Sequence, residues 1–390
     1  MYDSLLKGAN VVDPSQGLNG IFDIAIEQGR IARIAADIPA KDASLVYPLA
    51  GKIVTAGLID AHCHPSLNFS DHSVFPDEAG VNSGVLLVND AGSAGAANFQ
   101  TLRHMYCGRV KTEMSFFLNF ASAGLIHSPE IRSLHDIDIK LLKSAVEKNR
   151  DVVKGIKLRA LEPLMSITTD VVQLALDTAA ELKLPLMVHI GDFRERTAND
   201  PLDAYSRGVV KRLRKGDIIS HFMTWRPGGM ALPDGQIFPE LKEAKERGVI
   251  LDSSHGKNNF SFKVAEVLLA NGLGPDIITT DLSSMGVHCV QSLPVTMSKF
   301  IDLGMPLSEV VAATTSRAAQ ALGMDDQWGS LQVGRQADIS VLEMVAGDFA
   351  FFDGVAGNSR KGTCLLEPRL VMRQGEILPC RSYYHLSNEA

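Results

Sequence analysis

The side chains best suited to chemistry in this sequence are polar groups at the ends of apolar runs. His62 and His64 end the run IVTAGLIDAHCH, and three later runs end in His189, His221 and Asp281. Residues two apart in a strand point to the same side, so the imidazoles of His62 and His64 share a face. Imidazole and carboxylate are common ligands of divalent metals such as zinc. The pattern therefore indicates a metal site.

The runs that carry these residues alternate with helical patterns. Eight apolar, β-branched runs lie between about residues 53 and 284, separated by stretches such as DIKLLKSAVEKN and TDVVQLALDTAAEL. Continuous apolar strands between helices are typical of parallel strands covered on both faces. Eight such units predict an α/β fold of the (β/α)8 TIM-barrel type.

The predicted fold decides how the histidines are interpreted. A single histidine at a strand end is more often a hydrogen-bonded core residue than a ligand. In a barrel, however, the C-terminal ends of all strands meet at one mouth, where the active site lies. Four histidines and one aspartate buried there without partners would cost much free energy. A shared metal centre explains them together.

The two ends of the chain have a different pattern. Residues 1–52 and 330–390 contain short alternating runs broken by Gly, Asn, Asp and Pro, which indicates strands and turns. We therefore predict a small β-sandwich domain formed from both termini, over 1–52 and 330–390. The barrel domain is predicted over 53–329.

Composition excludes several classes of function. The chain has 390 residues and a net charge of −7 without a basic tract, which argues against nucleic-acid binding. No apolar stretch approaches the ~20 residues of a membrane helix, and the first residues lack a signal-peptide pattern. The five cysteines are odd in number and match no metal or redox spacing. We expect free thiols and a cytoplasmic protein.

Several segments resemble a known family. GLIDAHCHP, GIKLRA, VHIGD, ISHFMT and TTDLSS occur in this order, and together they resemble the amidohydrolase superfamily over essentially the whole chain. More narrowly, the sequence is similar to the dihydroorotase-like amidohydrolase/deacetylase group, which includes esterases of the acetyl-(R)-mandelate type. The resemblance implies two divalent metal ions, usually zinc, bridged by a strand-four lysine that carbon dioxide has carboxylated.

Two lysines compete for the bridging role. Lys154 and Lys157 are three residues apart, so both cannot point to the inside of one strand. Lys157 stands in the family-like segment GIKLRA, nearer the C-terminal end of the strand, and is the one we predict. An amine cannot bridge two cations, whereas a carbamate supplies two anionic oxygens. Lys154 is interpreted as a solvated charge before the strand.

The resemblance implies a complete set of ligands and a mechanism. His62 and His64 bind the more buried metal, His189 and His221 the more exposed one, the Lys157 carbamate bridges them, and Asp281 ligates the buried metal. Two metals lower the pKa of a water enough for it to attack a carbonyl near neutral pH. Asp281 takes the proton and passes it to the leaving group.

Two further residues are candidates for substrate contact. Arg159 is two residues beyond Lys157 and shares its face, so its guanidinium fork could hold a substrate carboxylate, or could form a structural ion pair instead. His255 follows strand seven and could stabilise a developing oxyanion, or be a hydrogen-bonded strand-end residue. Both alternatives stay open. Asp90 and Ser93, after strand two, are expected to support the site.

Three functions from different classes fit the sequence. The first is hydrolysis of an amide or ester bond in a small carboxylate-bearing substrate, either an N-acyl amino acid or an O-acyl 2-hydroxy acid. The second is a cyclic amidase of the dihydroorotase or hydantoinase type. Dihydroorotases place a carboxylate-binding Arg soon after the His-x-His pair, whereas Pro65 follows here. The third is a binding protein without activity, against which the full ligand set argues. A homo-oligomer is expected from the resemblance.

Overall fold

The structure, a computed structural model, describes residues 1–70, 72–232 and 234–381 and has a mixed α/β fold. Its strands are β1 (Tyr2–Asp13), β2 (Leu18–Glu27), β3 (Arg30–Ala35), β4 (Ala43–Pro48), β5 (Ile53–Ala56), β6 (Leu58–Cys63), β7 (Val85–Gly95), β8 (Glu113–Asn119), β9 (Val153–Arg159), β10 (Leu186–His189), β11 (Ile218–Ser220), β12 (Ile250–Asp252), β13 (Ile339–Phe352), β14 (Ser359–Arg373) and β15 (Glu376–Pro379).

The helices follow the strands of the central part of the chain. They are α1 (Pro76–Ala79), α2 (Phe99–Tyr106), α3 (Ile139–Lys148), α4 (Val171–Leu182), α5 (Pro201–Arg212), α6 (Pro239–Glu246), α7 (Phe262–Ala270), α8 (Val287–Val290), α9 (Leu293–Asp302), α10 (Leu307–Thr314) and α11 (Ser316–Ala321). Short 3-10 turns lie at Pro14–Gln16, Ala40–Asp42, Val81–Ser83, Gly124–Ile126, Leu134–Asp136 and Leu164–Ser166.

The central sheet is parallel and follows the order of the chain. Seven strands, β6 to β12, lie side by side in sequence order. Every residue of β7 is buried, as expected for a parallel strand whose two faces are both covered. The helix after each strand returns the chain to the start of the next one. The C-terminal ends of strands β6 to β12 therefore lie at one edge of the sheet.

A segment without regular secondary structure, 277–282, joins the two edges of this sheet. On one side it accepts backbone hydrogen bonds from the loop after β12, Ser253 N to Ile277 O at 3.1 Å and His255 N to Thr279 O at 3.2 Å. On the other side Asp281 N donates to His62 O at 2.7 Å. The Asp60 carboxylate also accepts from Thr280 N at 3.1 Å. The sheet is thus curled, and its first and seventh strands both contact this segment.

Apolar residues recur at helical spacing in the longer helices, and α3, α4, α5 and α9 each begin with a side-chain N-cap. In α4 the N-cap Asp170 accepts a hydrogen bond from Gln173 N at 3.0 Å, which satisfies one of the free N–H groups of the first turn. Val172, Leu176 and Ala179, three or four residues apart, are buried against the sheet. Asp138 caps α3 in the same way.

Both ends of the chain enter one sheet. Its order is β15-β14-β13-β5-β1-β2-β3, with β4 paired to β1. Strand β5 pairs with β1 from the N-terminal part and with β13 from the C-terminal part. The pairing unites the termini in a single eight-stranded sheet. A sandwich of two packed layers, and the domain boundaries at 52/53 and 329/330, stay predictions.

The buried carboxylate of Asp13 ties the two terminal segments together. It is 1% exposed and accepts hydrogen bonds from Gln16 Nε2 and from Leu331 N, both at 2.7 Å. Ser15 N donates to its other oxygen at 3.0 Å. The Leu331 bond crosses 318 positions of sequence, so one side chain fixes the entry to the C-terminal strands.

Asp13→Ala is expected to lower the free energy of unfolding by about 2 kcal/mol, because it leaves the buried Leu331 N–H without an acceptor. Denaturant unfolding followed by circular dichroism measures the change. Asp37→Ala is the matched control: its carboxylate is 81% exposed, and an exposed ion pair contributes less than about 1 kcal/mol. Equal stability of the two variants would contradict the role given to Asp13.

Two further features concern membrane-spanning helices and cysteines. In the described ranges no helix is both long and apolar enough to span a membrane. All five cysteines are free thiols.

Candidate metal centre

The polar residues singled out in the sequence converge at the C-terminal edge of the parallel sheet. His62 is the second-last residue of β6 and His64 directly follows that strand, Lys157 lies near the end of β9, and His189 ends β10. They line one cavity of about 300 Å3 together with Asp281 from the segment after β12. His221, directly after β11, is fully buried behind it.

His62 is held from outside by a carboxylate. Its Nδ1 lies 2.8 Å from Asp252 Oδ2 and 2.9 Å from Ser254 Oγ. Because an ionised carboxylate only accepts, the proton of the neutral ring sits on Nδ1. Its Nε2 is therefore left with a lone pair, which faces Lys157 Nζ at 3.1 Å. Such carboxylate–histidine pairs fix the orientation and tautomer of metal-binding imidazoles.

His221 has an unsatisfied nitrogen. Its Nδ1 donates to the carbonyl of Ser254 at 2.8 Å, which again leaves the lone pair on Nε2. That Nε2 is buried and has no hydrogen-bond partner. Burial also lowers the pKa of His221 to about 3, so the ring is neutral, which is the form that binds metals.

The other two imidazoles are oriented in a related way. His189 Nε2 donates to Gly191 O at 3.2 Å, and its ring centroid is 4.1 Å from that of His221. His64 Nδ1 lies 2.9 Å from Ser93 Oγ. Ser93 is itself held by the carboxylate of Asp90, which accepts from its N–H at 2.7 Å. Asp90 and Ser93 thus support the site from behind, as the sequence suggested.

The structure separates the two lysines. Lys157 is 3% exposed, and its Nζ contacts His62 and lies 3.3 Å from Ser220 Oγ. Burial lowers its pKa to about 8. Gly92, at φ +92°, packs on its side chain so closely that a Cβ there would lie 2.8 Å from Lys157 Cβ. Lys154 instead lines a surface hollow beside Arg150, away from the histidines.

Asp281 is held in a strained backbone conformation. Its φ is +48°, a region that costs a non-glycine residue of order 1–3 kcal/mol. His221 also has positive φ, at +68°. Asp281 Oδ1 lies 3.2 Å from His64 Nε2 and 3.6 Å from His62 Nε2. Burial opposes its ionisation, but the hydrogen bond that the carboxylate accepts from His64 favours the ionised form, and the pKa of Asp281 stays well below the ordinary value.

These donors fit a divalent metal ion. Ligand atoms of His62, His221 and Asp281 lie within 4.8 Å of one another. The inward Nε2 atoms of His62 and His221 carry lone pairs, the carboxylate of Asp281 is ionised, and His221 Nε2 has no partner in the protein. Such a buried acceptor costs free energy unless something binds it. The group is therefore of the type that holds a metal.

Arg159 lines the cavity but is paired. Its Nη1 donates to Glu130 Oε2 at 2.9 Å, and the side chain of Glu130 is itself buried. Its guanidinium lies 5.2 Å from the ring centroid of Phe193. Its Nε is buried without a partner. The guanidinium thus belongs to an ion pair and still has a donor free.

His255 does not reach the cavity. It is fully buried, with Nδ1 2.9 Å from Gly256 O and Nε2 2.9 Å from Lys299 Nζ. Its ring stacks on Phe260 at 4.5 Å between centroids. Both ring nitrogens of His255 thus have partners within the protein. The chain turns just before this residue, at Ser254, where φ is +38°. This arrangement corresponds to the hydrogen-bonded alternative considered from the sequence.

Sequence reasoning missed several residues of the site. Asp252, which orients His62, was visible only as the last residue of a strand. Glu130 lies in a loop 29 positions before its partner Arg159. His72, Lys257 and Asn259 also line the main cavity. Only the Asp in LDSSHG carried a signal, as a carboxylate at the end of an apolar run.

Comparison with known proteins places the chain in a family. Residues 53–378 match the model of the Amidohydrolase family. The chain is 32% identical over 360 residues to a deacetylase of Agrobacterium fabrum, covering 91% of this chain and 86% of that protein.

Two solved structures are similar over nearly the full length. One is described as a dihydroorotase, with 30% identity, a TM-score of 0.85, and coverage of 98% of this chain and 99% of the other. The other is described as an adenine deaminase, with 28% identity, a TM-score of 0.86, and coverage of 97% and 100%. With its fold, its histidine and aspartate group and these relatives, the chain belongs to the amidohydrolase family and is a hydrolase that acts on C–N bonds.

Proposed function

We propose that the protein is a two-metal hydrolase that cleaves an amide or ester bond in a small carboxylate-bearing substrate. N-acyl amino acids and O-acyl 2-hydroxy acids are the substrate classes. The observation that carries the proposal is the set of imidazoles whose outer nitrogens donate to fixed acceptors while their other nitrogens face one hollow. The deacetylase relative supports acyl transfer to water. The parallel sheet is inferred to close as a (β/α)8 barrel, with 277–282 as its eighth strand.

We propose the ligands that the resemblance to the family implies, although the three ligand atoms that lie within 4.8 Å of one another are those of His62, His221 and Asp281. His62 and His64 with Asp281 would hold one ion, and His189 and His221 the other. Lys157 is the proposed bridge, in its carboxylated form. Its lowered pKa of about 8 supports this, since only the neutral amine can add to carbon dioxide and release a proton. The carbamate would carry a charge that matches cations better than the unmodified amine.

The chain's own residues would do the rest of the chemistry. Two divalent cations, most simply Zn2+, would polarise the carbonyl and lower the pKa of a water molecule. Asp281, half-buried and ionised beside His64, would accept the proton of that water and deliver it to the leaving group. Arg159 borders the cavity and has a free Nε donor, so it is the proposed contact for the substrate carboxylate.

A cyclic amidase remains the second candidate, because the solved structure described as a dihydroorotase is 30% identical. Ring opening of a cyclic amide would use the same water and the same Asp281. The two candidates differ only in substrate shape. Residues that line the cavity from loops, such as Phe193, Asn259 and Met285, would decide between them.

A hydrolysis screen tests the proposal. Zinc-loaded protein is expected to hydrolyse O-acetyl 2-hydroxy acids or N-acetyl amino acids, supplied as separate enantiomers, and to leave dihydroorotate intact. Product acids are measured by chromatography. Exhaustive chelation should abolish the activity and added Zn2+ should restore it. Turnover of dihydroorotate alone would favour the cyclic amidase over the acyl hydrolase. A protein unable to bind any metal would contradict the proposal that it is a metal-dependent hydrolase.

The bridging role separates the two lysines. Lys157→Ala is expected to lose bound metal and activity, because the bridge between the cations is gone. Lys154→Ala is the matched control and should retain both, since its side chain lies in a surface hollow. Elemental analysis of dialysed protein gives the metal content. The reverse pattern would show that the wrong lysine was chosen.

Asp281→Asn tests the proton acceptor. We expect kcat to fall by about 10²–10⁴-fold with little change in KM, because the amide cannot take the proton. Metal content is measured in the same samples, so that loss of a ligand is distinguished from loss of a base. Asp325→Asn, an exposed position, should behave as wild type. Full kcat in a fully metal-loaded Asp281→Asn protein would exclude the role.

A further inference from the structure

A second cavity opens beside the metal centre. Its volume is about 210 Å3, far more than the about 10–15 Å3 that a single water requires. It shares four lining residues with the main cavity, Asn119, Ser128, Arg159 and Phe193. A substrate held at the metal centre could therefore extend one end into it. We call it the side pocket.

The side pocket is acidic. Three carboxylates line it, Glu130, Glu162 and Asp192, against the single guanidinium of Arg159. Arg194, which lies next to Asp192, donates from its terminal nitrogens to Asp200 at 2.6 Å. Its Nε remains 3.8 Å from Asp192 Oδ2. The lining thus has more negative than positive charge.

Glu130 supplies an independent sign of a ligand. The residue is more than nine-tenths buried, at 6% exposed, and lines the side pocket. Its Oε2 accepts from Arg159, but its Oε1 is buried and has no hydrogen-bond partner. An ionised oxygen without a donor is costly in a buried place. A group with several N–H donors and a positive charge would satisfy it.

We propose that the side pocket binds a cationic end of the substrate, an ammonium or guanidinium group. The proposal rests on the function given above and narrows it to acylated basic amino acids. In such a substrate the carboxylate would meet Arg159 at the border of the two cavities, the acyl bond would face the metal centre, and the cation would lie among Glu130, Glu162 and Asp192. The same carboxylates would repel an anionic side chain.

Binding of a simple cation tests the pocket without turnover. Pentylammonium is expected to bind the zinc-loaded protein about 10- to 100-fold more tightly than 1-pentanol, the range of a charge-assisted hydrogen bond. Isothermal titration calorimetry measures both. Glu162→Gln/Asp192→Asn should remove most of the difference. Glu130 is left intact because it anchors Arg159.

The control is Glu195→Gln. Glu195 lies close in sequence to Asp192, is 92% exposed and pairs with Arg226, and it lines neither cavity. This variant should bind pentylammonium as wild type does. Equal affinity for pentylammonium and pentanol, or an undiminished preference in the double variant, would overturn the proposal.

Kinetics connect the pocket with the reaction. For N-acetyl-lysine and its uncharged isostere N-acetyl-2-aminoheptanoate, the wild-type KM should be about 10- to 100-fold lower for lysine. The double variant should raise KM for the lysine substrate alone and leave kcat for the neutral substrate unchanged. If no acyl compound is hydrolysed while pentylammonium still binds through the pocket, the proposed function fails and the cation site stands. Equal KM values for both substrates would overturn the inference.

Discussion

The convergence of imidazole lone pairs on one buried hollow is the constraint on which the rest of this structure depends. His62 and His221 each spend Nδ1 on an acceptor of the protein, Asp252 or the Ser254 carbonyl. The Nε2 atom of His62 then faces only one donor, Lys157 Nζ. The Nε2 atom of His221 has no hydrogen-bond partner. A cation is the simplest partner for such a set, together with an ionised Asp281. These side chains are therefore unfavourable as a metal-free core, and their arrangement is suited to binding a cation.

The surrounding structure stabilises this unfavourable arrangement. The segment 277–282 is fixed by hydrogen bonds to β6 and to the loop after β12, with Asp60 accepting from Thr280. That anchoring allows Asp281 to keep a positive φ of +48°, because many bonds to the neighbours over-determine one strained residue. Burial raises the pKa of Asp60 to about 7, so the charge of the carboxyl that accepts from Thr280 depends on how deeply it is buried. The position of Asp281 thus depends on the hydrogen bonds that join segment 277–282 to β6 and to the loop after β12.

The charges are distributed unevenly around the centre. Arg159 lies between the main cavity and the acidic side pocket, and Glu130 neutralises part of its charge. Relatives with the same fold are described as a deacetylase, a dihydroorotase and an adenine deaminase. Since one fold supports many reactions, we infer that the choice of substrate depends on the residues around the cavity, including these charges. Under the proposed function, the metal centre would supply the shared chemistry and the surrounding residues the selectivity.

The sequence by itself determined the residues at the strand ends. The two-residue period of a strand and the common edge of parallel strands led to His62, His64, Lys157, His189, His221 and Asp281, and the structure brings these side chains together. It also determined that Lys157, rather than Lys154, points inward. The tertiary structure alone decided the partners of Arg159 and His255, Glu130 and Lys299, which lie 29 and 44 positions away. It likewise joined both termini in a single sheet. The reason is physical: strand periodicity is a local property, whereas contacts between loops depend on the path of the whole chain.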